Sequence, residues 1–287
     1  MNEWLSSQFV VNVLFFVLGA IIGSFLNVCI YRIPRNESIV RPGSRCPACE
    51  APILFYDNIP LVSYMLLRGR CRNCGEHISI RYPFVELVTG ALFVVFCTVL
   101  GLSPELAVSL VFACLLIVIS FIDLDHLIIP DILSLGGLLL GVALSFFRPS
   151  FGNVDSVGGL LVSAGLLRWA PESLVRLATS LGGVLLGAGL LFAIAKSYEF
   201  LRKREGVGGG DIKLLGMIGA FCGIEGVIFS LVAGSLLGTI VGLPLMLIKG
   251  EGMKYAIPFG PFLSLGALIY AIAGNDLIHL FFSFVLR

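Results

Sequence analysis

Charge is what this sequence has least of. Only 13% of its 287 residues are Asp, Glu, Lys or Arg, and three are histidine. With 57% hydrophobic residues and a mean hydropathy of +1.01, the chain carries more apolar surface than a soluble domain can bury. His77, His126 and His279 are scattered, and neither a GxSxG nor an HExxH pattern occurs, which removes the serine elbow and the zinc-protease helix. Absence of a GxGxxG after a strand argues against a soluble dinucleotide-type fold. The first apolar run has no basic stretch before it and no small-residue cleavage site after it, so a retained helix is expected rather than a signal peptide. Short alternating segments, the mark of a membrane barrel, are missing as well. A net charge of +1, with a single basic loop, gives no nucleic-acid surface.

What is present is a series of unbroken apolar runs of about 17 to 25 residues, the length that crosses a hydrocarbon core as helix. They fall at roughly 9–31, 84–101, 104–121, 132–147, 173–197, 211–224, 226–248 and 257–285, with the last interrupted at Gly274-Asn275-Asp276. The expected fold is an all-α polytopic membrane protein of about eight transmembrane helices, its surroundings a lipid bilayer. Residues 1–31 form helix one, 32–83 a small extramembrane domain, and 84–287 a multi-helix membrane domain. Residues 151–171, glycine-rich and holding Asn153, Asp155, Arg168 and Trp169, are expected to form an outside loop.

Charge placement sets the orientation. The stretch Arg32 to Tyr82 holds eight arginines against four acids, so it is expected in the cytoplasm, with the N-terminus outside. Threading from there puts Asp123 to Asp131, Arg202 to Asp211, Lys249 and Lys254 on the same cytoplasmic face.

The polar stretch carries Cys46-Pro-Ala-Cys49 and Cys71-Arg-Asn-Cys74, two CxxC knuckles separated by 21 residues. Four thiolates in two tight turns suit tetrahedral Zn2+. A cytoplasmic location disfavours disulfides, leaving redox-active or free thiols as the alternative. The metal's role would be structural, since so short a polar stretch buries little core. Cys29, Cys97, Cys114 and Cys222 lie in apolar runs and read as packing residues.

Two acidic places stand at the edges of apolar segments. One is Asp123-Leu124-Asp125 with Asp131 after Pro130; the other is Asp211, preceded by Gly208-Gly209-Gly210. If the helix from 104 continues, Asp123 and Asp125 point about 200 degrees apart and cannot share a job. The glycines allow close backbone approach and unusual dihedrals. An unpaired carboxylate at a membrane edge is costly, so a pairing is expected. Two carboxylates held close share a proton: one takes a proton from water while the other polarises a carbonyl. An Asp123–Asp131 pair is a rival that leaves the glycine run unexplained, and any one of these acids could be only a solvated helix end. His126 reads as a helix-end polar residue.

These residues, in this order, resemble the bacterial type IV prepilin peptidases, inner-membrane leader peptidases that are also N-methyltransferases. The resemblance runs nearly end to end. Gly23-Ser24-Phe25-Leu26-Asn27-Val28 with Tyr31-Arg32-Ile33-Pro34 is similar to the family's opening motif. The two knuckles, Tyr56-Asp57-Asn58-Ile59-Pro60, and Arg81-Tyr82-Pro83 with Glu86 resemble its cytoplasmic domain. Asp123 to Asp131 resembles its first aspartate motif, and Gly208-Gly209-Gly210-Asp211-Ile212-Lys213 its GxGD motif. The segment 151–180 is longer than the family's usual connection.

The resemblance implies a GxGD-type aspartyl protease with Asp123 and Asp211 as the catalytic pair. Asp125, Asp131, Gly208, Gly210 and Lys213 would support them. The implied partner is a prepilin or pseudopilin, cut after a glycine that precedes its hydrophobic helix, and the new N-terminus is then methylated from S-adenosylmethionine. Asn27, Glu86 and the cysteine loop are the candidates for methyl transfer. Two readings of other classes compete: a transporter with acids in an ion path, and a zinc-containing scaffold of a pilus or secretion machine.

Overall fold

The computed structural model describes residues 2–145, 171–203, 208–249 and 257–285. The outside loop expected at 151–170, Arg204 and Lys254 lie outside the described residues. The described chain is helical, and its only bridge pairings are two isolated ones in the loop after the first helix. Five helices are long and apolar enough to cross a membrane, and two shorter apolar helices accompany them. The chain divides into two compact units, Met1–Leu106 and Ala107–Arg287.

The first unit is a helical hairpin with a polar insert. Helix α1 (Asn2–Arg32) pairs with α3 (Arg81–Leu100), and the contacts run antiparallel from Gly19 at Gly90 to Asn27 at Tyr82. The helices approach closely because small residues face each other: a Cβ on Gly19 would come 2.8 Å from the Gly90 Cα, and one on Gly23 2.8 Å from the Glu86 Cα. Helix association inside a bilayer relies on this kind of contact, because apolar burial alone gives no advantage there. The insert between them holds two single-turn 3-10 segments and the short α2 (Val62–Leu66).

The second unit contains α4 (Pro104–His126, counted from Ala107), α5 (Asp131–Leu144), α6 (Glu172–Arg202), α7 (Gly209–Lys249) and α8 (Gly260–Val285). Helix α4 continues through the acidic cluster. It ends where Leu127 takes the left-handed conformation (φ 55) and donates its N–H to the Asp123 carbonyl. Pro130 then lacks the N–H to continue and instead leads into α5.

Helix α7 is two helices in one. Gly223 inside it has φ 70 and ψ −167, a conformation open essentially only to glycine. The two limbs fold back on each other. A straight helix would hold Gly210 and Gly238 about 42 Å apart. Yet Ile129 lies against the Cβ positions of both Gly210 and Gly260, while Gly238 lies against Phe259 and Phe262. The apolar runs expected at 211–224 and 226–248 are these two limbs. Reaching eight spans requires counting the limbs separately and both short helices as crossings.

The first limb packs on α6 and α5. A Cβ on Gly183 or Gly219 would fall on the other residue's backbone, Ser180 donates to the Ala220 carbonyl at 2.8 Å, and a Cβ on Gly141 of α5 would meet the Phe221 ring at 2.8 Å, a ring that also stacks on Phe112 of α4 at 4.6 Å. The second limb runs antiparallel to α8, with Gly226 at Tyr270, Ser230 at Gly266 and Gly234 at Leu263. Helix α8 departs from expectation, since it passes unbroken through Gly274-Asn275-Asp276. Gly274 there faces the Tyr270 ring, and a side chain would not fit.

Candidate active site

Asp123 sits in the last turn of α4 and is 5% exposed. Its Oδ2 accepts the backbone N–H of Gly260 at 3.0 Å, a bond between positions 137 residues apart. Gly260 opens α8, where orphan N–H groups point outward and favour a negative partner. No side chain fits at 260: a Cβ would stand 2.6 Å from Asp123 Oδ2 and 3.2 Å from Ile129 Cδ1.

Asp211 occupies the first turn of α7, half-buried, with its N–H bound to the Gly208 carbonyl at 3.1 Å. Its carboxylate lies near enough to Asp123 for the two charges to interact. Ile129 joins the two halves, touching the Gly260 position on one side and the Gly210 position on the other.

The glycine run works differently from the expectation. None of Gly208, Gly209 and Gly210 has a positive φ, so unusual dihedrals are not its contribution. Close approach is: a Cβ on Gly210 would meet Ile129 Cβ at 2.8 Å, and one on Gly208 would meet Asp211 Oδ2 at 3.2 Å. Among the described residues nothing lies within 4 Å of a Cβ placed on Gly209.

The other acids separate as their helical positions dictate. Asp125 is exposed, away from the face that buries Asp123, and His126 is exposed beside it. Asp131 is mostly exposed and forms an ion pair with Lys213 at 2.5 Å, tying the start of α5 to the start of α7. The rival Asp123–Asp131 pairing therefore loses its second member to a lysine.

The first unit holds the remaining candidates. Both knuckles close alike: Cys46 N–H bonds the Ala51 carbonyl and Cys71 N–H the Glu76 carbonyl, while Glu50 and Gly75 return N–H groups to the cysteine carbonyls. Glu50 and Gly75 share a left-handed φ, of 56 and 75. The four Sγ atoms lie within 4.8 Å of one another, with Cys46 and Cys74 at 3.8 Å. Tetrahedral zinc with bonds of about 2.3 Å needs sulfurs about 3.8 Å apart, so the cage fits that ion. Backbone N–H of Ala51 and the Asn73 amide hold the Cys49 thiol down at about 7, while burial and the neighbouring sulfurs push Cys74 up to about 12, as expected of thiols crowded together.

Two further contacts brace this unit. Arg72, inside the second knuckle, grips Asp57 through two bonds of 2.6 and 2.8 Å, fastening the Tyr56–Pro60 segment to the cysteine cage. That guanidinium holds the Asp57 carboxyl below its ordinary range. Glu86, buried in α3, accepts the Leu61 N–H at 2.8 Å. Leu61 has φ 59 and ψ −47, and Val62 N–H bonds the Pro60 carbonyl at 2.6 Å, so the carboxylate steadies a strained γ-turn. Asn27, 2% exposed, donates to the carbonyls of Gly23 and Tyr82, while its Oδ1 has no partner among the described residues.

Sequence reasoning missed Gly260. The available signal was Pro258-Phe259-Gly260-Pro261, a glycine between prolines at the start of an apolar run, but nothing local links it to Asp123.

Residues 17–100 match the family described as bacterial peptidase A24 N-terminal domain, and residues 110–243 match the type IV leader peptidase family. The interval between the two matches contains the boundary between the structural units. A protein of Myxococcus xanthus named prepilin leader peptidase/N-methyltransferase is 40% identical over 83% of this chain, which spans 64% of that protein's length. Proteins of the same name from Pseudomonas putida and Neisseria gonorrhoeae are each 32% identical over 91% of this chain and 90% of their own. No solved structure matches. With two family matches in chain order and relatives aligned over nine-tenths of their length, the chain belongs to the type IV leader peptidase family.

Proposed function

We propose that this protein is a multi-pass inner-membrane aspartyl endopeptidase that removes prepilin leaders and N-methylates the new terminus. The observation that carries the peptidase reading is the buried Asp123 carboxylate, held by the Gly260 N–H and within charge range of Asp211. Asp123 and Asp211 act as a dyad sharing one proton, and their titration belongs to the pair. The ionised member takes a proton from water as it attacks the scissile carbonyl, whose oxygen the protonated member polarises. Collapse of the tetrahedral adduct returns a proton to the departing amine. The Asp131–Lys213 pair supports the dyad by fixing α5 to α7, and Gly208 and Gly210 keep Asp211 close to the 127–130 turn.

The cysteine cage lies in the cytoplasm, with the N-terminus outside and both aspartates at the cytoplasmic face, a reading supported by the excess of arginine in the insert. The domain division is 1–31, 32–83 and 84–287, the middle part serving methyl transfer. Cys46, Cys49, Cys71 and Cys74 hold a structural Zn2+ there. S-adenosylmethionine supplies the methyl group when bound. Asn27 Oδ1, a buried acceptor without a partner among the described residues, and the nearby Glu86 carboxylate, which also holds the Leu61 N–H, fit a donor-rich or cationic group. An ion path would need acids near the midplane, and these stand at helix ends.

Co-expression with a prepilin, followed by mass measurement of its N-terminus, tests both activities. The expected product has lost the leader and gained one methyl group. Unprocessed prepilin overturns the reading.

A further inference from the structure

The polar insert of the first unit contains a helix that is inside out. In α2, Val62, Met65 and Leu66 stand at positions i, i+3 and i+4, which share one face. That face is the exposed one, with Met65 at 67% and Leu66 at 77%. The residue turned inward is Ser63, 6% exposed, whose hydroxyl donates to the Tyr56 carbonyl at 2.9 Å. Phe55 and Ile59 are exposed just ahead of the helix. A helix surrounded by water turns its polar side outward, so this pattern points to an apolar neighbour.

Depth identifies that neighbour. Glu86 of α3 accepts the N–H of Leu61, the residue before α2, at 2.8 Å. Glu86 lies about 7.5 Å along α3 from Arg81, and helical side chains lean back toward the N-terminus, so Leu61 is held beside the first two turns of α3. With 20 residues, α3 is about 30 Å long, the thickness of a hydrocarbon core. Its first turns therefore stand where headgroups meet acyl chains. Ile80, Phe84 and Leu87, spaced i, i+4 and i+7, present an exposed apolar stripe at the same level. Two cation–π pairs mark the boundary: Arg35 over Tyr31 at the end of α1, at 4.0 Å, and Arg81 over Tyr82 at the start of α3, at 5.7 Å.

Charge agrees with this placement. Arg68 and Arg70 follow α2 directly and are exposed, and no acid occurs from 58 to 75. We propose that α2 is an interfacial anchor: Val62, Met65 and Leu66 enter the acyl-chain boundary, and Arg68 and Arg70 meet anionic phospholipid headgroups. A helix lying in the interface buries its apolar face by about 5–10 Å, which is the depth at which Leu61 is held. Docked this way, α2 keeps the cysteine-bearing insert against the membrane, because Ser63 holds Tyr56 and the neighbouring Asp57 holds Arg72 of the second knuckle.

The test uses the full-length protein in vesicles of phosphatidylcholine with one-third phosphatidylglycerol, part of the phosphatidylcholine being brominated high on its acyl chains. Leu66→Trp is the probe, and the unaltered protein, with tryptophans only at 4 and 169, supplies the background. The added indole should emit at shorter wavelength and lose most of its emission to the bromolipid. Leaving out phosphatidylglycerol, or introducing Arg68→Gln with Arg70→Gln, should lower the ratio of docked to undocked helix by roughly fivefold for each charge no longer engaged. Met65→Trp, on the same face, replaces the probe if Leu66→Trp does not fold. Long-wavelength emission without quenching means that water covers the face, and short-wavelength emission without quenching means that protein does; either overturns the proposal. Quenching that ignores both the lipid charge and the arginine changes overturns the headgroup contact. Leader cleavage is not read at any point, so the outcome is independent of the peptidase reading.

Discussion

Gly260→Ala separates catalysis from folding at a single methyl group. The added Cβ would stand 2.6 Å from Asp123 Oδ2, well inside contact distance, and 3.2 Å from Ile129 Cδ1. The carboxylate is the softer neighbour and rotates away, giving up the 3.0 Å bond from the Gly260 N–H. Losing a hydrogen bond to a charged group costs about 1.5–3 kcal/mol, or roughly 10- to 150-fold in rate if all of it is felt in the transition state. Helix α8 itself has no reason to unfold, so thermal stability should change little. Neighbouring glycines supply the calibration. Gly209→Ala, which meets nothing among the described residues, should cleave like wild type, whereas Gly208→Ala, at 3.2 Å from Asp211 Oδ2, should lose a few-fold. Gly210→Ala meets the Cβ of Ile129, which cannot rotate aside, so it should lose activity and about 1–3 kcal/mol of stability together. The assay is cleavage of a purified prepilin by each variant in proteoliposomes, with melting followed in parallel. Full activity in Gly260→Ala, or damage from Gly209→Ala, would refute the reasoning.

Other predictions address the first unit. Metal analysis should find one zinc per chain, absent in Cys46→Ser; Asn73→Ala, which removes the amide donor 3.6 Å from Cys49 Sγ, should weaken binding by about 10-fold or more. Because Arg72 depresses the Asp57 pKa, their pairing stabilises above the unfolded value near 4 and is lost as pH falls through the folded one. Arg72→Gln should therefore raise hydrogen exchange of the 57–72 segment at pH 7, with the difference from wild type fading below about pH 4. Glu86→Ala leaves the Leu61 N–H without its acceptor, at about 1–3 kcal/mol, and should reduce methylation of pre-cleaved pilin while leader cleavage continues. Equal loss of both activities would count against a methylation role.

The parts of this fold legible in the sequence are those with local causes. Apolar run length located the helices, and the CxxC spacing located a cage whose four sulfurs do converge. Helical geometry alone separates Asp123 from Asp125, and one is buried while the other is exposed. What stayed hidden depends on partners far along the chain. Gly260 reaches Asp123 across 137 residues, and no local pattern marks such a bond. Gly274-Asn275-Asp276 has the composition of a break, yet Gly274 is required there by the Tyr270 ring against it. Gly208 to Gly210 suggested backbone freedom, whereas the physical demand is space beside Ile129 and Asp211.

The central claim is that peptide-bond cleavage belongs to Asp123 and Asp211 together. Its most direct test is a prepilin cleavage assay on purified Asp123→Asn and Asp211→Asn proteins, each confirmed as folded by its melting profile. Each substitution keeps the side chain's shape and removes its capacity to exchange a proton, so neither protein should release leader. Asp125→Asn, at the exposed position, should retain cleavage. Leader release by either of the first two variants would contradict the account.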